Sequence, residues 1–372
     1  MPKNVLCDKE KPVKKVLIAM SGGVDSSVAA CLLTEQGYAC VGCTMRLFGG
    51  DEAGESTCCS LSDVEDARAV AMRLGIPFYV FNFCDDFKKN VIDRFVACYR
   101  AGKTPNPCVD CNRYMKFEKL LTRAAELGCD YVATGHYARV ERQGDRYLLK
   151  KAADPAKDQS YVLYRLTQAQ LSHVLFPLGG YGKEQTRALA AAHGFVNADK
   201  PDSQDICFVP DGDHAAAIAR LTGQTEPTGL FLDTAGRVLG EHRGISRYTV
   251  GQRRGLGIAS SEPYYVLAVR PDDNTVVLGR EGDLYQSEMT VTDVNWIAGQ
   301  TPTAPVRCAV KIRYRQKEQP ALVTPTGADT ATVVFEQPQR AVTPGQSAVF
   351  YDGDTVLGGG EIAGATDAQN GG

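Results

Sequence analysis

Apolar residues in the first half of the chain follow two alternating spacings. Four short apolar runs have the length typical of buried β-strands, at residues 16–20, 39–45, 78–82 and 131–134. Between and after them, apolar residues recur at helical spacing, at residues 25–36, 62–74, 87–101, 114–127, 168–175 and 183–193. Strands that alternate with helices predict an α/β fold, in which a parallel sheet is covered by helices on both faces.

The pattern changes after about residue 208. One more short helix is predicted at residues 215–221, and Gly and Pro then separate short strand-like runs, at residues 264–269, 275–278, 306–313, 331–335 and 348–351. Such runs predict small β-barrels. We therefore expect a catalytic α/β domain at residues 1–208, a small central β-rich domain at 209–283 and a C-terminal β-barrel domain at 284–372. We expect the tail at 363–372 to be disordered.

Composition adds little to this picture except through the cysteines. The 372 residues are 44% hydrophobic, and the net charge of −3 neither requires nor excludes a nucleic-acid partner. Residues 1–12 lack the apolar core of a signal peptide, and no apolar run is long enough to span a bilayer. We therefore expect a cytoplasmic protein with no membrane partner. In that compartment thirteen cysteines favour metal, cluster or catalytic roles over a disulfide framework.

A glycine-rich loop follows the first predicted strand, where residues 21–27 read SGGVDSS. Gly22 and Gly23 let the backbone approach a ligand closely, and the start of the next helix offers unpaired N–H groups to an anion. Asp25 can hold a metal ion or orient the loop. The segment matches neither the Walker phosphate loop nor the dinucleotide-binding glycine motif. It resembles instead the pyrophosphate loop of the ATP-pyrophosphatase superfamily, whose members split ATP into AMP and pyrophosphate.

Three cysteines stand apart by their sequence context. Cys108 and Cys111 lie in TPNPCVDCN at residues 104–112, where the prolines predict a rigid loop, and Cys207 lies in DSQDICF at 202–208. A Cys-x-x-Cys pair suits a zinc half-site, a redox pair or two cluster ligands. Structural zinc needs four such ligands, so simple zinc at this pair is disfavoured. We expect most of the cysteines in periodic segments to be buried core thiols, namely Cys31, Cys40, Cys43, Cys98, Cys129 and Cys308.

Seven segments occur in the order found in the tRNA-uridine 2-sulfurtransferases, the MnmA-type 2-thiouridylases, which the chain therefore resembles. They are SGGVDS (21–26), TPNPxxxCN (104–112), ATGHY (133–137), KDQSY (157–161), ICF (206–208), GQRRGLG (251–257) and TPGQ (343–346). The match spans nearly the whole chain. The resemblance implies a pyrophosphate-loop domain of the adenine nucleotide alpha hydrolase type, followed by two mainly-β domains, the last of which binds tRNA.

The resemblance implies ATP-dependent 2-thiolation of the wobble uridine, U34, in tRNAs for Lys, Glu and Gln. ATP and Mg²⁺ are the implied cofactors, and a cysteine desulfurase or a sulfur-relay protein is the implied partner. The chemistry is consistent, since the C2 oxygen of uridine becomes a leaving group only once adenylated, and a thiolate is the active form of cysteine sulfur. The alternatives are another pyrophosphate-loop tRNA thiolase, an amidotransferase-type ligase, and a non-catalytic tRNA-binding protein. The missing glutaminase domain argues against the ligase.

The resemblance also implies roles for individual residues. Cys111 corresponds to the catalytic nucleophile and Cys207 to the cysteine that carries persulfide sulfur. The implied ATP site consists of Ala19, Met20, Ser21, Gly22, Gly23, Val24, Asp25, Ser26, Met45 and Gly135. The implied tRNA contacts are Asn106, Pro107, Cys108, His136, Lys157, Asp158, Gln159, Arg313, Tyr314 and Gln346. Period-two alternation over residues 310–315 would place Lys311, Arg313 and Arg315 on one sheet face.

Cys108 departs from the family pattern, because many members have an aspartate there that is assigned as an acid or base. Two mechanisms follow and stay open. In the first, a desulfurase loads Cys207 with sulfur, and Cys111 releases it with formation of a Cys111–Cys207 disulfide. In the second, Cys108, Cys111 and Cys207 ligate a [4Fe-4S] cluster whose open iron holds sulfide.

Overall fold

The first domain contains the predicted parallel sheet. The computed structural model describes residues 13–48, 61–201, 206–209 and 211–365. Five parallel strands follow the order β3-β2-β1-β4-β7, with bounds β1 Lys15–Ala19, β2 Ala39–Arg46, β3 Phe78–Asn82, β4 Tyr131–Ala133 and β7 Val174–Leu175. Strands β2 and β3 lie on one side of β1, and the chain then returns to place β4 on the other side of β1. This reversal places the topological switch point, where α/β sheets bind ligands, between β1 and β4.

Helices cover both faces of this sheet, as the sequence predicted. Val16 and Ile18 of β1 pack on one side and Leu17 packs on the other. The first side is covered by α1 (Val24–Glu35), α2 (Leu61–Arg73) and α8 (Lys183–Ala192). Two long helical segments cover the other side, each widened by π-helical turns. The first consists of α3 (Cys84–Phe87), a π-helical stretch at Lys88–Ile92 and α4 (Asp93–Arg100). The second consists of α5 (Pro107–Asp110), a π-helical stretch at Cys111–Lys119 and α6 (Leu120–Glu126).

Two smaller β units follow. The central sheet has the order β10-β11-β8-β9, with bounds β8 Gly229–Leu232, β9 Val238–His242, β10 Tyr265–Arg270 and β11 Thr275–Gly279. Its core includes Phe231, Val266, Val276 and Leu278. The helix before it, α9 (His214–Thr222), packs instead on the α/β core through Ala217 and Ile218.

The C-terminal unit is a six-stranded barrel, closed because β12 pairs with both β15 and β17. Its strands are β12 Tyr285–Trp296, β13 Val306–Lys311, β14 Gln319–Pro325, β15 Ala331–Arg340, β16 Ser347–Asp352 and β17 Thr355–Ala365. A hairpin from the first domain, β5 (Arg139–Gln143) and β6 (Arg146–Lys150), extends this sheet, since Lys150 pairs with Thr355. The hairpin therefore joins the α/β domain to the barrel through one eight-stranded sheet, which is separate from the five-stranded parallel sheet.

Three local predictions were wrong. The helix predicted at residues 168–175 is a single turn, α7 (Gln168–Leu171), and Val174–Leu175 pairs with the edge of β4. Residues 363–365 belong to β17 because they pair with β12, and the rest of the predicted disordered tail lies outside the described residues. The strand predicted at 306–313 ends at Lys311, so the chain turns at Arg313 and the expected alternation stops there.

The predicted rigid loop at residues 104–112 is also wrong, because Pro107 begins a helix. Asn106 caps that helix, since its side-chain oxygen accepts a hydrogen bond from the Cys108 backbone N–H at 3.2 Å. Proline fits the first helical position, where its missing N–H would have no helical partner. Cys108 and Cys111 therefore lie three residues apart on one helix face.

The cysteines expected in the core divide into two groups. Cys31, Cys40 and Cys43 are buried, as the sequence predicted, and burial is the main cause that raises the pKa of each thiol. The other three, Cys98, Cys129 and Cys308, are only half-buried.

Candidate active site

The pyrophosphate-loop segment occupies the turn between β1 and α1. Met20 anchors it to β2, because its N–H donates to Cys43 O at 2.7 Å and its carbonyl accepts from the Thr44 hydroxyl at 2.6 Å. Gly22 has φ = +74°, and a Cβ there would lie 2.3 Å from the carbonyl oxygen of Asp63. The tight turn therefore requires glycine, both for its backbone angle and for its contact with α2.

Gly135 brings the end of β4 against the first turn of α1. A Cβ at Gly135 would lie 2.7 Å from the Ser26 nitrogen and 2.8 Å from the Asp25 carbonyl carbon. Met45, at the end of β2, is also buried. The structure thus gathers the loop, the end of β2 and Gly135 at one edge of the sheet, as the sequence predicted. That these residues bind ATP stays a prediction.

Asp25 is engaged by other side chains of the protein. Its Oδ1 atom accepts from Lys183 Nζ at 2.7 Å and from the Tyr137 hydroxyl at 2.8 Å. The Tyr137 hydroxyl also contacts Thr186 of α8 at 3.1 Å. Of the two roles considered for Asp25, these contacts support orientation of the loop and of α1. Lys183 and Tyr137 were missed as supports of the loop because neither occupies a recognisable spacing relative to it.

Asn197 and Lys200 also support the loop, through contacts with the Gly22 carbonyl, and were likewise not predicted from the sequence. The buried Asn197 side chain donates to Gly22 O and to Ser27 Oγ, each at 2.9 Å. Lys200 Nζ contacts Asp63 at 2.6 Å, Asp66 at 2.7 Å and Gly22 O at 3.4 Å. The only sequence signal was their position just before the 202–208 motif.

The helix that carries Cys108 and Cys111 is fixed on its buried side. Val109 is in the core, and the Asn112 side chain donates to Val162 O at 3.0 Å. Cys108 is exposed and Cys111 is half-buried. Burial raises the pKa of the Asp110 carboxyl above its ordinary value, and Arg94, 3.4 Å away, opposes that shift.

Cys207 lies on a short turn that Phe208 anchors. The Phe208 ring is buried against Phe95, Phe87 and Phe48, with ring centroids 5.0, 6.0 and 6.5 Å away. Cys207 and Cys111 both pack against the hydrophobic cluster that contains these rings, and so does Ala19 at the end of β1. The fold therefore brings the two cysteines, 96 residues apart in sequence, to the same core that borders the glycine-rich loop.

The cysteine trio is not arranged as a single-ion site. Among the described residues, the one group of three metal-ligating side chains with ligand atoms within 4.8 Å of one another is Cys31, Glu35 and His193. Three cysteine thiols, two of them on one helix face, are the type of donor that an iron–sulfur cluster takes, and a cluster spaces its thiolates more widely than a single ion does.

The loop at residues 157–160 holds several predicted tRNA contacts and is tightly folded. Asp158 accepts from the backbone N–H groups of Ala152 and Ser160, at 3.0 and 3.1 Å. Gln159 pairs with the Tyr137 backbone through both its side chain and its own N–H, each at 2.9 Å. The loop is thus fixed to the segment that follows Gly135. Lys157 lies in the same loop and is half-buried.

Tyr314 lies over this loop, and its hydroxyl is 3.4 Å from Asp158 O. Burial is the main cause that raises the pKa of the Tyr314 phenol, and smaller contributions come from Asp158 and then from the Cys108 thiol. Cys108, Asp158 and Tyr314 therefore share one region of the molecule. Asn106 and Pro107 border it as the first residues of the α5 turn. Contact of these residues with tRNA stays a prediction.

His136, Arg313 and Gln346 have partners within the protein. His136 is buried between Phe117 and Phe176, and burial places the pKa of its imidazole well below the ordinary value. Arg313 Nη2 donates to Val250 O, Ala341 O and Thr343 Oγ1, and the Gln346 side chain donates to Thr104 O at 2.8 Å. These bonds support domain packing, and the predicted tRNA contacts of the three residues stay predictions.

Comparisons with known proteins agree with this arrangement. Family models match residues 14–211 (tRNA methyl transferase HUP domain), 218–280 (tRNA methyl transferase PRC-barrel domain) and 286–362 (aminomethyltransferase beta-barrel domain). A solved 4-thiouridine synthetase–RNA complex with bound ATP covers 56% of this chain and 51% of its own, at 19% identity and a TM-score of 0.33. No helix in the described part of the chain is long and apolar enough to cross a membrane.

Curated relatives match over nearly their whole length. The tRNA-specific 2-thiouridylase MnmA of Clostridioides difficile is 51% identical, covering 94% of this chain and 98% of its own. The protein of the same name from Acetivibrio thermocellus is 52% identical, covering 94% and 99%. The protein from Geotalea uraniireducens is 51% identical, covering 97% and 98%. The chain belongs to the tRNA-specific 2-thiouridylase family.

Proposed function

We propose that this chain catalyses the ATP-dependent 2-thiolation of the wobble uridine, U34, of tRNA in the cytoplasm. The observation that carries the proposal is the shared hydrophobic cluster against which Ala19, Cys111 and Cys207 all pack. It places the end of the strand before the glycine-rich loop and two sulfur-bearing side chains around one core. Residues proposed for both parts of a thiolation reaction, activation by ATP and delivery of sulfur, then border the same core.

The activation step takes place at the loop between β1 and α1. The C2 oxygen of uridine attacks the α-phosphorus of ATP, pyrophosphate leaves, and the base carries an adenylated oxygen. Glycines at 22 and 23 and the N-terminus of α1 suit the phosphate charge, which Mg²⁺ bound with ATP would further neutralise. Since Asp25 is already paired with Lys183, we assign it to orienting α1. The target base must leave the anticodon stack to reach this edge of the sheet.

Sulfur then displaces AMP from C2 by one of two routes. In the persulfide route, the terminal sulfur on Cys207 attacks C2, and the Cys111 thiolate attacks the inner sulfur. That step leaves 2-thiouridine and a Cys111–Cys207 disulfide, which a dithiol reduces. In the cluster route, Cys108, Cys111 and Cys207 would hold a [4Fe-4S] cluster that supplies sulfide on its open iron. A cysteine desulfurase or a sulfur-relay protein supplies the sulfur in the cell.

The reaction is tested directly with anaerobically purified protein, ATP, Mg²⁺, unmodified tRNA for Lys, Glu or Gln and a sulfur source matched to each route. The source is sulfide for the cluster route, and a cysteine desulfurase with cysteine and a dithiol for the persulfide route. We expect 2-thiouridine at position 34 by mass spectrometry of digested tRNA, and only when ATP is present. Cys111→Ala should abolish product while ATP binding persists. Cys308→Ala, which changes a half-buried barrel cysteine, is the matched control. Thiolation at another position would indicate a different tRNA thiolase, and unchanged thiolation by Cys111→Ala would exclude its catalytic role.

The two sulfur routes differ in their metal content. The cluster route requires iron, inorganic sulfide and a visible charge-transfer band that Cys108→Ala weakens. A colourless, iron-free and active protein would exclude it. In that case, addition of a cysteine desulfurase with cysteine should load Cys207, and the persulfide should be lost in Cys207→Ala.

The salt dependence of tRNA affinity can distinguish the predicted tRNA contact of Arg313 from its packing role. If its guanidinium neutralises one phosphate, Arg313→Gln should reduce the slope of log affinity against log salt by about 1. If the side chain only joins the barrel to the central sheet, affinity should fall by a similar factor at every salt concentration. Lys157→Gln provides the comparison, since Lys157 lies in a predicted tRNA-contacting loop.

A further inference from the structure

Helices α1 and α8 lie side by side and are joined at both ends. At their N-terminal ends, Asp25 pairs with Lys183 at 2.7 Å. At their C-terminal ends, Glu35 Oε1 lies 3.3 Å from His193 Nε2. The first contact supports the glycine-rich loop. The second lies about ten residues further along α1, roughly 15 Å away at about 1.5 Å per residue, and plays no part in the mechanism above.

A third ligating side chain completes the second contact. Cys31 lies one helical turn before Glu35 on the same face of α1, and its thiol is within 4.8 Å of the ligand atoms of both Glu35 and His193. Cys31 is buried, His193 is half-buried and the Glu35 carboxylate faces solvent. One sulfur, one imidazole nitrogen and one carboxylate oxygen therefore converge at the protein surface, with one side open to water.

The spacing fits a tetrahedral ion better than a simple ion pair. Bonds of about 2.0–2.1 Å from zinc to nitrogen and oxygen give a tetrahedral edge of roughly 3.3 Å between those two ligands. The 3.3 Å separation of His193 and Glu35 equals that edge, whereas a direct hydrogen bond between them would be optimal near about 2.9 Å. Three protein ligands plus one water is a common zinc set, and thiolate and imidazole together select zinc over magnesium or calcium.

We propose that Cys31, Glu35 and His193 bind a divalent zinc-type cation that joins the C-terminal ends of α1 and α8. The thiolate and the carboxylate balance the charge of the ion, and the thiol proton is released to solvent on binding. Without an ion, burial and then Glu35 raise the pKa of the Cys31 thiol to about 11, so that it remains protonated.

The surrounding contacts restrain the His193 ligand. Arg73 Nε donates to His193 O at 2.5 Å, and a Cβ at Gly194 would lie 2.8 Å from Arg73 Nη2. The backbone that carries the imidazole is therefore held against α2, while the positive charge of Arg73 lies on the carbonyl side. An ion at this site would fix the far end of the helix pair whose near end supports the glycine-rich loop.

The test uses the full chain with the active-site cysteines replaced (Cys108→Ala, Cys111→Ala, Cys207→Ala), so that they cannot bind the probe. Co²⁺ is titrated anaerobically into chelator-treated protein. We expect one equivalent to bind, with a thiolate-to-cobalt band and tetrahedral d–d bands that Zn²⁺ displaces. Cys31→Ser should abolish the thiolate band, and His193→Gln should weaken Co²⁺ binding by more than about 10-fold. Cys40→Ser, which changes another buried thiol of this domain, should leave the titration unchanged.

Two results would overturn the proposal. The first is a titration with no thiolate band, which would leave the three side chains as an ion pair beside a core thiol. The second is a band that persists in Cys31→Ser. His193→Gln decides the matter if Cys31→Ser does not fold, since the partly exposed His193 tolerates replacement and the melting temperature reports whether the variant is native.

Discussion

The contact between Gly135 and α1 offers a sharp test of the proposed ATP site. Gly135→Ala adds one methyl group that would lie 2.7 Å from the Ser26 nitrogen and 2.8 Å from the Asp25 carbonyl carbon. Both atoms belong to the backbone and cannot rotate away. The φ angle of Gly135 is not in the left-handed region, so the cost of the substitution is steric.

The structure sets the size of the effect. To reach an ordinary van der Waals distance of 3.4 Å, the end of β4 and the first turn of α1 must separate by about 0.7 Å. Overpacking of this kind costs about 1–3 kcal/mol. In a domain of this size each ~1 kcal/mol lowers the melting temperature by about 2–4 °C. Because the shift opens the predicted adenosine pocket, we expect the Kd for ATP to rise at least about 10-fold, or about 1.4 kcal/mol.

Calorimetric titration with ATP and thermal unfolding measure the two effects. Gly180→Ala is the matched control, because no atom lies within 4 Å of a Cβ there and its φ is not positive. We expect this control to bind ATP like the wild type and to melt at the same or a slightly higher temperature. If Gly135→Ala binds ATP as tightly as Gly180→Ala, the reasoning that places adenosine beside Gly135 is refuted.

Three further predictions concern the supports of the site. Phe208→Ala should lower the free energy of unfolding by about 3–5 kcal/mol and slow thiolation; an unchanged denaturation midpoint would contradict the packing seen here. Lys183→Met removes the cationic partner of Asp25, so it should raise the KM for ATP and lower the free energy of unfolding by about 1–3 kcal/mol. The control is Lys89→Met, in the helical segment on the opposite face of the sheet, which should leave the KM unchanged. Burial lowers the pKa of His136, so below about pH 6.5 the unfolded state takes up more protons than the folded state does. The free energy of unfolding should therefore fall with acidification, by up to about 1.36 kcal/mol per pH unit. In urea titrations at about pH 6.5 and about pH 5.5, His136→Gln should lose less free energy of unfolding between the two pH values than the wild type does.

Local patterns predicted the sheet and most helices because their signals lie within a few residues. The run at 16–20, the glycines at 22 and 23 and the helical spacing after them together predicted the loop between β1 and α1. Prediction failed where a distant partner decides the structure. Val174 and Leu175 carry no local signal for a two-residue strand, and only the open edge of β4 makes them one.

Local and distant signals also separate the site residues that were found from those that were missed. Cys111 and Cys207 were identified by family motifs. That both pack against the same hydrophobic cluster depends on Phe208, next to Cys207, packing against Phe95 of α4, and no local pattern predicts that contact. The helix start at Pro107 was missed because proline usually argues against a helix, although an Asn cap before it favours the opposite. Asn197 and Lys200 had no motif, since their role depends on contacts with the Gly22 carbonyl across the fold.

The barrel holds the helix that carries Cys108 and Cys111 on both sides. Before the helix, Thr104 N–H donates to Pro344 O at 2.8 Å, and its carbonyl accepts from Gln346. After the thiols, Arg113 pairs with Asp293 of β12 at 3.0 Å. A tRNA bound to the barrel would therefore contact a unit that is hydrogen-bonded to the helix that carries the two cysteines of the proposed site. If the proposed tRNA contacts are correct, loss of these contacts would shift Cys108 and Cys111 relative to the bound uridine.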